Sequence, residues 1–182
     1  MEMQEKVLPD AVLVFLKRDG HIWLARKTKH IGKGLWNGYG GGIEIGETPR
    51  ETVVREAGEE TRPSKHLHGV TIRPADLHFI GIAYFTTITE SGERRLCKVR
   101  IYMTSIWEGE IWSSEEMIDP TPFRENKLPF QEMMLADRVW LPAALIAQNS
   151  GKKIIVRATY GPGQKTLIGE VRVEYVDELS EE

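Results

Sequence analysis

The chain has 182 residues, of which 41% are hydrophobic and 28% are charged, and its formal net charge is -3. This length suits one domain with a buried core. The acidic balance argues against a protein that binds a nucleic-acid polymer, because such proteins normally carry a basic face. A single cysteine excludes an internal disulfide framework and fits a reducing compartment.

The start of the chain, MEMQEKVLPD, lacks the basic and apolar regions of a signal peptide, and no apolar run is long enough to cross a membrane. The sequence therefore predicts a cytoplasmic protein, a monomer or a homodimer, with neither a membrane nor a nucleic-acid polymer as partner. We expect a single domain over residues 1-182. Its ends at roughly 1-8 and 177-182 are expected to be frayed, the latter as a solvated acidic tail.

The first elements along the chain are a predicted β-hairpin and a loop. The segment AVLVFLKRDGHIWLARK reads as two strands joined at Asp19 and Gly20, a strong signal for a two-residue turn. A glycine-rich loop follows from Gly32 to Gly46. Three consecutive glycines in it, Gly40–Gly42, would let the backbone pass close to a metal ion or a phosphate.

A helix is predicted over TPRETVVREAGEET. Thr48 is placed to cap its start, Pro49 suits the first helical position, and Glu51 completes a capping box. Pro63 should end it.

This helix gathers three carboxylates, Glu56, Glu59 and Glu60, on one face that borders its apolar stripe. Partly desolvated carboxylates need a cation, or one of them becomes protonated. Mg²⁺ is the natural cation, because it takes hard oxygen ligands and shares them with substrate phosphates. Mn²⁺ is a possible substitute. A solvated acidic helix behind a flexible loop is the alternative interpretation.

The second half of the chain predicts a mixed α/β arrangement with mainly antiparallel pairing. Two β-like runs, LHFIGIAYFTTIT and RRLCKVRIYMTSIW, precede a loop expected from Glu115 to Lys127. The segment MMLADRVWLPAALIAQNSG predicts a helix that ends at Gly151 and that Pro142 should start or kink. A final hairpin contains GPGQKT, which lacks the spacing of a phosphate-binding loop and reads as a turn.

The order of the charged residues resembles the Nudix box, Gly-x5-Glu-x7-Arg-Glu-x2-Glu-Glu-x-Gly. Its positions are filled in this chain by Gly41, Glu47, Arg55, Glu56, Glu59 and Glu60. Arg62 stands where the box has its closing glycine, a departure that affects the end of the helix more than the chemistry. The resemblance implies a Nudix α/β/α sandwich with a mixed, mainly antiparallel sheet. It also implies a metal-dependent enzyme that cleaves nucleoside diphosphates linked to another moiety.

The resemblance assigns metal roles by position. Glu56 and Glu60 would be the principal Mg²⁺ ligands, with the carbonyl of Gly40 nearby. Glu59 would be a further ligand or the base for the attacking water.

The resemblance also implies residues that orient or supplement the metal ligands. Arg55 would orient Glu47 or another box carboxylate through a charge-assisted hydrogen bond. Members of the family often recruit a carboxylate from outside the box, and Glu115 and Glu116 are the nearest candidates.

Beyond the box, the segments GKGLWNGYGGGIEIGET, LPFQEMM, DRVWLP and YGPGQKTLIGEVRV resemble the oxidised-purine nucleoside triphosphatases, also called 8-oxo-dGTP diphosphatases. This implies hydrolysis of a substrate such as 8-oxo-dGTP to the monophosphate and pyrophosphate, which would sanitise the nucleotide pool. One alternative is another Nudix substrate, such as a dinucleoside polyphosphate, ADP-ribose or an RNA 5′ end. The other is a nucleotide-binding module without catalysis.

The base site is implied by the same resemblance. Asn37 would contact the base, since an amide offers both a donor and an acceptor. Of two adjacent acidic residues in the family pattern only Asp137 is present, because Ala136 occupies the other position. Met134 stands where the family has a tryptophan that stacks on the base. The alternative for Asp137 is a simple helix N-cap.

The phosphates of the substrate are expected to lie near Lys27 and the backbone of Gly41 and Gly42. For Lys27 the alternative is a residue at a strand edge without contact to substrate.

Overall fold

The computed structural model describes residues 5–182, which are built around a nine-stranded sheet. The strands are β1 Glu5–Val7, β2 Ala11–Arg18, β3 His21–Lys27, β4 Trp36–Asn37, β5 His78–Ile88, β6 Arg94–Thr104, β7 Met117–Arg124, β8 Lys153–Tyr160 and β9 Arg172–Val176. The helices are α1 Pro49–Glu60 and α2 Asp137–Ser150.

The strands lie in the order β4-β3-β2-β6-β5-β8-β9, with β1 also on β6 and β7 also on β3. The pairs β1–β6, β2–β6 and β5–β8 are parallel, and the remaining pairs of the described sheet are antiparallel. The predicted mixed, mainly antiparallel sheet is confirmed.

Each face of the sheet is covered by one helix. On one face, Val53 and Ala57 of α1 belong to a buried cluster with Tyr39 and with the β2 side chains that point to that face. On the other face, Trp140 and Leu141 of α2 pack into a second cluster. Alternate residues of each strand point to opposite faces, so the same strands serve both cores.

Local signals set the bounds of α1. Thr48 Oγ1 accepts from the Glu51 backbone N–H at 3.3 Å, and the Glu51 carboxylate accepts from the Thr48 N–H at 2.8 Å. The helix ends at Glu60, with Thr61 at φ -109° as its C-cap. Arg62 does not have a positive φ, so this ending does not require the glycine that the family pattern has there.

One expectation about the second half is wrong, and another is wrong in part. The segment expected as a loop contains β7, in which Pro122 lies opposite Trp23. Because β7 pairs only with β3 among the described strands, it is an edge strand, where proline costs no ladder hydrogen bond. Helix α2 begins at Asp137 and continues through Pro142, so Pro142 does not start it, and a kink at Pro142 stays a prediction. The carbonyl that loses its partner belongs to Arg138, an exposed residue whose backbone water can reach.

The tail expected to be frayed is bound to the α1 face. Glu181 accepts from Arg50 of α1 at 2.9 Å and from the Tyr102 hydroxyl at 3.1 Å, and its backbone carbonyl accepts from Arg100. Leu179 packs against the same core. At the other end β1 pairs with β6, while residues 1–4 of the expected frayed segment lie outside the described residues.

Candidate functional site

The carboxylates of α1 face a cavity of about 320 Å³ that is shared with the glycine-rich loop. Its lining consists of Lys27, Lys29, His30, Gly40, Gly41, Gly42, Glu56, Glu59, Glu60 and Glu116. Glu116 therefore joins the three box glutamates from outside the box. Glu115 lines an adjoining cavity with the same glutamates.

The loop reaches α1 because two of its glycines have no side chain. A Cβ on Gly41 would lie 2.3 Å from Oε1 of Glu56. A Cβ on Gly40, whose φ is +154°, would lie 2.1 Å from the carbonyl oxygen of Val12. At Gly40 the obstacle is strand backbone, so glycine is required there, whereas at Gly41 it is the end of the Glu56 side chain, which a Cβ would displace from its present position.

Arg55 donates hydrogen bonds to two of the carboxylates at once. Its Nε and Nη2 donate to the two oxygens of Glu47 at 2.6 and 3.0 Å, and Nη1 donates to Oε1 of Glu56 at 2.8 Å. Nη2 also donates to the Gly42 carbonyl at 3.2 Å. The Arg55 hydrogen bonds hold the pKa of Glu47 at about 2, and these carboxylates raise the pKa of Arg55. Glu59 is more exposed and lies 3.6 Å from Nη1.

Glu60 is the most deeply buried carboxylate of this group, with 7% of the residue exposed. Its Oε2 accepts a hydrogen bond from the Gly40 N–H at 2.7 Å, and no arginine or lysine pairs with it among the described residues. Burial raises its pKa to about 8, against the lowering effect of the Gly40 hydrogen bond. Burial also raises the pKa of Glu56.

These residues fit a hard divalent cation by donor chemistry. Glu60 is desolvated and forms no ion pair with an arginine or lysine of residues 5–182, so a metal ion at the cavity would supply compensating positive charge. In the described conformation no three His, Cys, Asp or Glu side chains of residues 5–182 already converge on one point. The reason is that Glu56 is turned toward Arg55 and Glu60 toward the Gly40 backbone.

A second cavity, of about 310 Å³, runs from this acidic end to the opposite side of the sheet. Lys27, Gly40 and Glu60 line one end of it. The β6, β5 and β8 strands contribute Val99, Phe85 and Tyr160, and the α2 region contributes Met134, Asp137 and Trp140. The cavity thus brings Asn37, Lys27, Met134 and Asp137 together with Glu60.

Asp137 lies in this cavity as a buried acid, so its interpretation as an N-cap is wrong. Ala136 occupies the cap position, and Asp137 is the first helical residue, without a capping bond. Its Oδ1 instead accepts from the Trp140 indole N–H at 2.9 Å. Burial raises the pKa of Asp137 to about 7, so near neutral pH the carboxyl can donate as well as accept.

The other residues of the expected base site also reach the cavity. The side-chain oxygen of Asn37 accepts from the Gly38 N–H at 2.9 Å, which leaves its amide hydrogens free to donate. Met134 packs partly buried against the α2-side core. Lys27 lines both cavities, so it lies beside the acidic cluster and not merely at a strand edge.

The sequence analysis did not place several of the lining residues in a site, among them Phe85, Cys97, Tyr160 and Gln164. The first three lie inside β-strands, where side chains facing a cavity look the same as side chains facing a core. Gln164 lies in the turn after β8, and only the fold brings that turn to the cavity.

No helix among the described residues is long and apolar enough to span a bilayer.

A family model described as the NUDIX domain matches residues 7–148. The chain is 36% identical over 133 residues to the oxidized purine nucleoside triphosphate hydrolase of Danio rerio, and 30% identical over 133 residues to that of Mus musculus. Each alignment covers 73% of this chain and 77% of the relative.

A solved structure supports the same fold. The crystal structure of a mutator MutT protein from Bacillus halodurans superimposes with a TM-score of 0.70 at 22% identity. The match covers 92% of this chain and 98% of that chain. The predicted α/β/α sandwich is confirmed.

Proposed function

The chain belongs to the NUDIX domain family, and we propose that it hydrolyses an oxidised purine nucleoside triphosphate, such as 8-oxo-dGTP, to the monophosphate and pyrophosphate. The relatives from Danio rerio and Mus musculus are named as hydrolases of such nucleotides. The observation that carries the proposal is one cavity whose lining contains Glu60 together with Asn37 and Asp137. A nucleotide needs both an acidic metal site for its phosphates and polar groups for its base.

The acidic end suits the chemistry of phosphate hydrolysis. Mg²⁺, with Mn²⁺ as a substitute, would neutralise phosphate oxygen charge and activate water. Glu56 and Glu60 would hold the ion, with the Gly40 carbonyl nearby. Glu59 would be a further ligand or would accept the proton of the attacking water. Glu116, which lines the same cavity, is a further carboxylate for this site.

Groups around the acidic end position its carboxylates and the phosphates of the substrate. Arg55 keeps Glu47 and Glu56 at fixed positions through three hydrogen bonds. Lys27 lines both cavities together with Glu60, and its ammonium would attract phosphate there. The backbone of Gly41 and Gly42 would lie along the phosphates without a side chain in the way.

The base end supplies fixed polar groups and apolar walls. Asn37 can donate through its amide hydrogens, and Asp137 retains one oxygen that Trp140 does not bind. Met134 would cover one face of the base. We further propose that the enzyme acts on the free cytoplasmic nucleotide pool, as a monomer or homodimer, and not on a nucleic-acid polymer.

A substrate panel tests this function. Values of kcat/KM are measured with Mg²⁺ for 8-oxo-dGTP, dGTP, a dinucleoside polyphosphate, ADP-ribose and a 5′-triphosphate RNA, and the products are identified by phosphorus NMR. We expect 8-oxo-dGTP to rank first and to give the monophosphate with pyrophosphate. A higher rank for another compound would replace the proposed substrate. Tight nucleotide binding without turnover of any compound would indicate a binding module.

A further inference from the structure

Gln164 places an amide on the wall of the substrate cavity, opposite the α2 region. It lies in the turn between β8 and β9, at a φ of 57°, and it is partly buried. Its side chain lines the same cavity as Asn37 and Asp137. Its Nε2 donates to the Thr87 hydroxyl on β5 at 2.8 Å.

The strand order puts Gln164 at the base end. The glycine loop is hydrogen bonded to β2 through Val12 N–H and the Gly41 carbonyl, at 2.9 Å. From β2 the sheet continues through β6 and β5 to β8, where Tyr160 precedes the turn. Three strand spacings amount to about 14 Å. The turn is therefore separated across the sheet from the loop that contacts the box glutamates, which places Gln164 away from the metal-binding side chains.

The two ends of this amide are not equivalent. Thr87 occupies Nε2, whereas Oε1 accepts no hydrogen bond from the described residues. Oε1 is also absent from the fully buried, unpartnered side-chain atoms of residues 5–182, so it keeps some exposed surface in a residue that lines the cavity. With Nε2 bonded to Thr87, Oε1 is the end of the amide that is left to accept from a ligand. Asn37 is oriented the other way round. Its side-chain oxygen accepts from the Gly38 N–H, so its amide nitrogen is the end that is left for a ligand.

We propose that Gln164 is a base-selecting residue whose Oε1 accepts an N–H from the purine edge, and that Thr87 is the positioning residue that fixes this amide. The inference rests on the proposed function and adds to it a determinant of selectivity. An ordinary purine has an unprotonated acceptor at N7. An 8-oxo-purine carries a hydrogen there, so a fixed acceptor favours the oxidised base.

Thr87 provides a sharp test, because its hydroxyl can be removed without changing the shape of the strand. Thr87→Val deletes the partner of Gln164 and keeps a β-branched side chain, while Thr87→Ser keeps the hydroxyl. Dissociation constants for 8-oxo-dGMP and dGMP are measured by calorimetry, and kcat and KM for the two triphosphates are measured alongside. We expect Thr87→Val to reduce the preference for the oxidised base by about tenfold, the equivalent of one hydrogen bond. The kcat for the oxidised substrate should stay unchanged, and Thr87→Ser should behave as wild type.

Gln164→Met is the second variant, because it keeps the length of the side chain and removes the acceptor. It should show the same loss of preference as Thr87→Val, and Lys165→Ala in the same exposed turn should show none. Melting temperatures of all variants are recorded to verify folding. The inference is overturned if both Thr87→Val and Gln164→Met retain the wild-type preference, or if they weaken both nucleotides equally.

The proposed function is tested independently of this inference. If wild type prefers a base other than the oxidised purine, the substrate assignment is wrong. The role of Gln164 is then decided by whether Thr87→Val changes that other preference.

Discussion

Arg55 and Glu47 form a two-point ion pair, in which Nε donates to Oε1 at 2.6 Å and Nη2 donates to Oε2 at 3.0 Å. The third nitrogen of the same guanidinium donates to Glu56 at 2.8 Å. A planar guanidinium can hold two carboxylates in fixed directions at once, whereas a lysine ammonium is a single point charge. This geometry makes Arg55 the residue that sets the positions of the acidic cluster.

Arg55→Lys should therefore lower kcat by about 10- to 100-fold although the charge is kept, since misplacement of reacting groups by about 1 Å costs this much. Activity is measured at saturating substrate over a range of Mg²⁺ concentrations, and the variant should need more Mg²⁺ for half-maximal rate. Arg95→Lys is the matched control, because Arg95 is exposed and, among the described residues, forms an ion pair with Glu93 alone. Equal activity of Arg55→Lys and Arg95→Lys would contradict the orienting role.

Glu60→Gln should lower kcat by about 10²–10³-fold, by analogy with the loss of one preorganised electrostatic group. Glu60 is the buried carboxylate of the cluster, and an amide of the same shape keeps the fold while it removes the charge that attracts the ion. The comparison is Glu44→Gln, because Glu44 is exposed and approaches Arg55 only to 4.0 Å. Full turnover by Glu60→Gln would disprove the metal assignment.

Asp137→Asn should change how stability depends on pH. Folding raises the pKa of Asp137 from 3.8 to about 7 through burial, so the protonated form is favoured in the native state. Its contribution to stability is fully present below about pH 4 and is lost as the pH rises through about 7, at up to about 1.4 kcal/mol per pH unit. The asparagine variant lacks this loss, so its free energy of unfolding should rise relative to wild type between pH 4 and 7.

Urea unfolding at several pH values measures this difference. Asp119→Asn is the control, because Asp119 is exposed and asparagine also tolerates its φ of 53°. Parallel pH profiles for wild type and Asp137→Asn would show that Asp137 does not titrate as its burial requires.

Glu181→Gln should lower the free energy of unfolding by about 1–2 kcal/mol, because a charge-assisted pair with Arg50 and a bond from Tyr102 are weakened. Glu182→Gln, one residue further along, alters an exposed side chain and should have almost no effect. Chemical denaturation at 25 °C compares the two variants. If they are equally stable, Glu181 does not anchor the tail to α1.

The sequence alone determined those features that rest on neighbouring residues. The start of α1 follows from Thr48, Pro49 and Glu51, which act within one turn of the helix. The first hairpin follows from Asp19 and Gly20, both of which have a positive φ. The acidic face of α1 follows from helical periodicity, and the spacing of the box residues identified the family.

Tertiary structure decided what depends on residues far apart in the chain. Proline and charge in the segment 117–124 favoured a loop, and only the partner strand β3 makes it an edge strand. Asp137 could equally have been a helix cap, until its burial against Trp140 made it an acid with a raised pKa. Gln164 had no local signal of function. Its place at the base end follows from the order of strands in the sheet, and pairing between distant strands is a property of the whole fold.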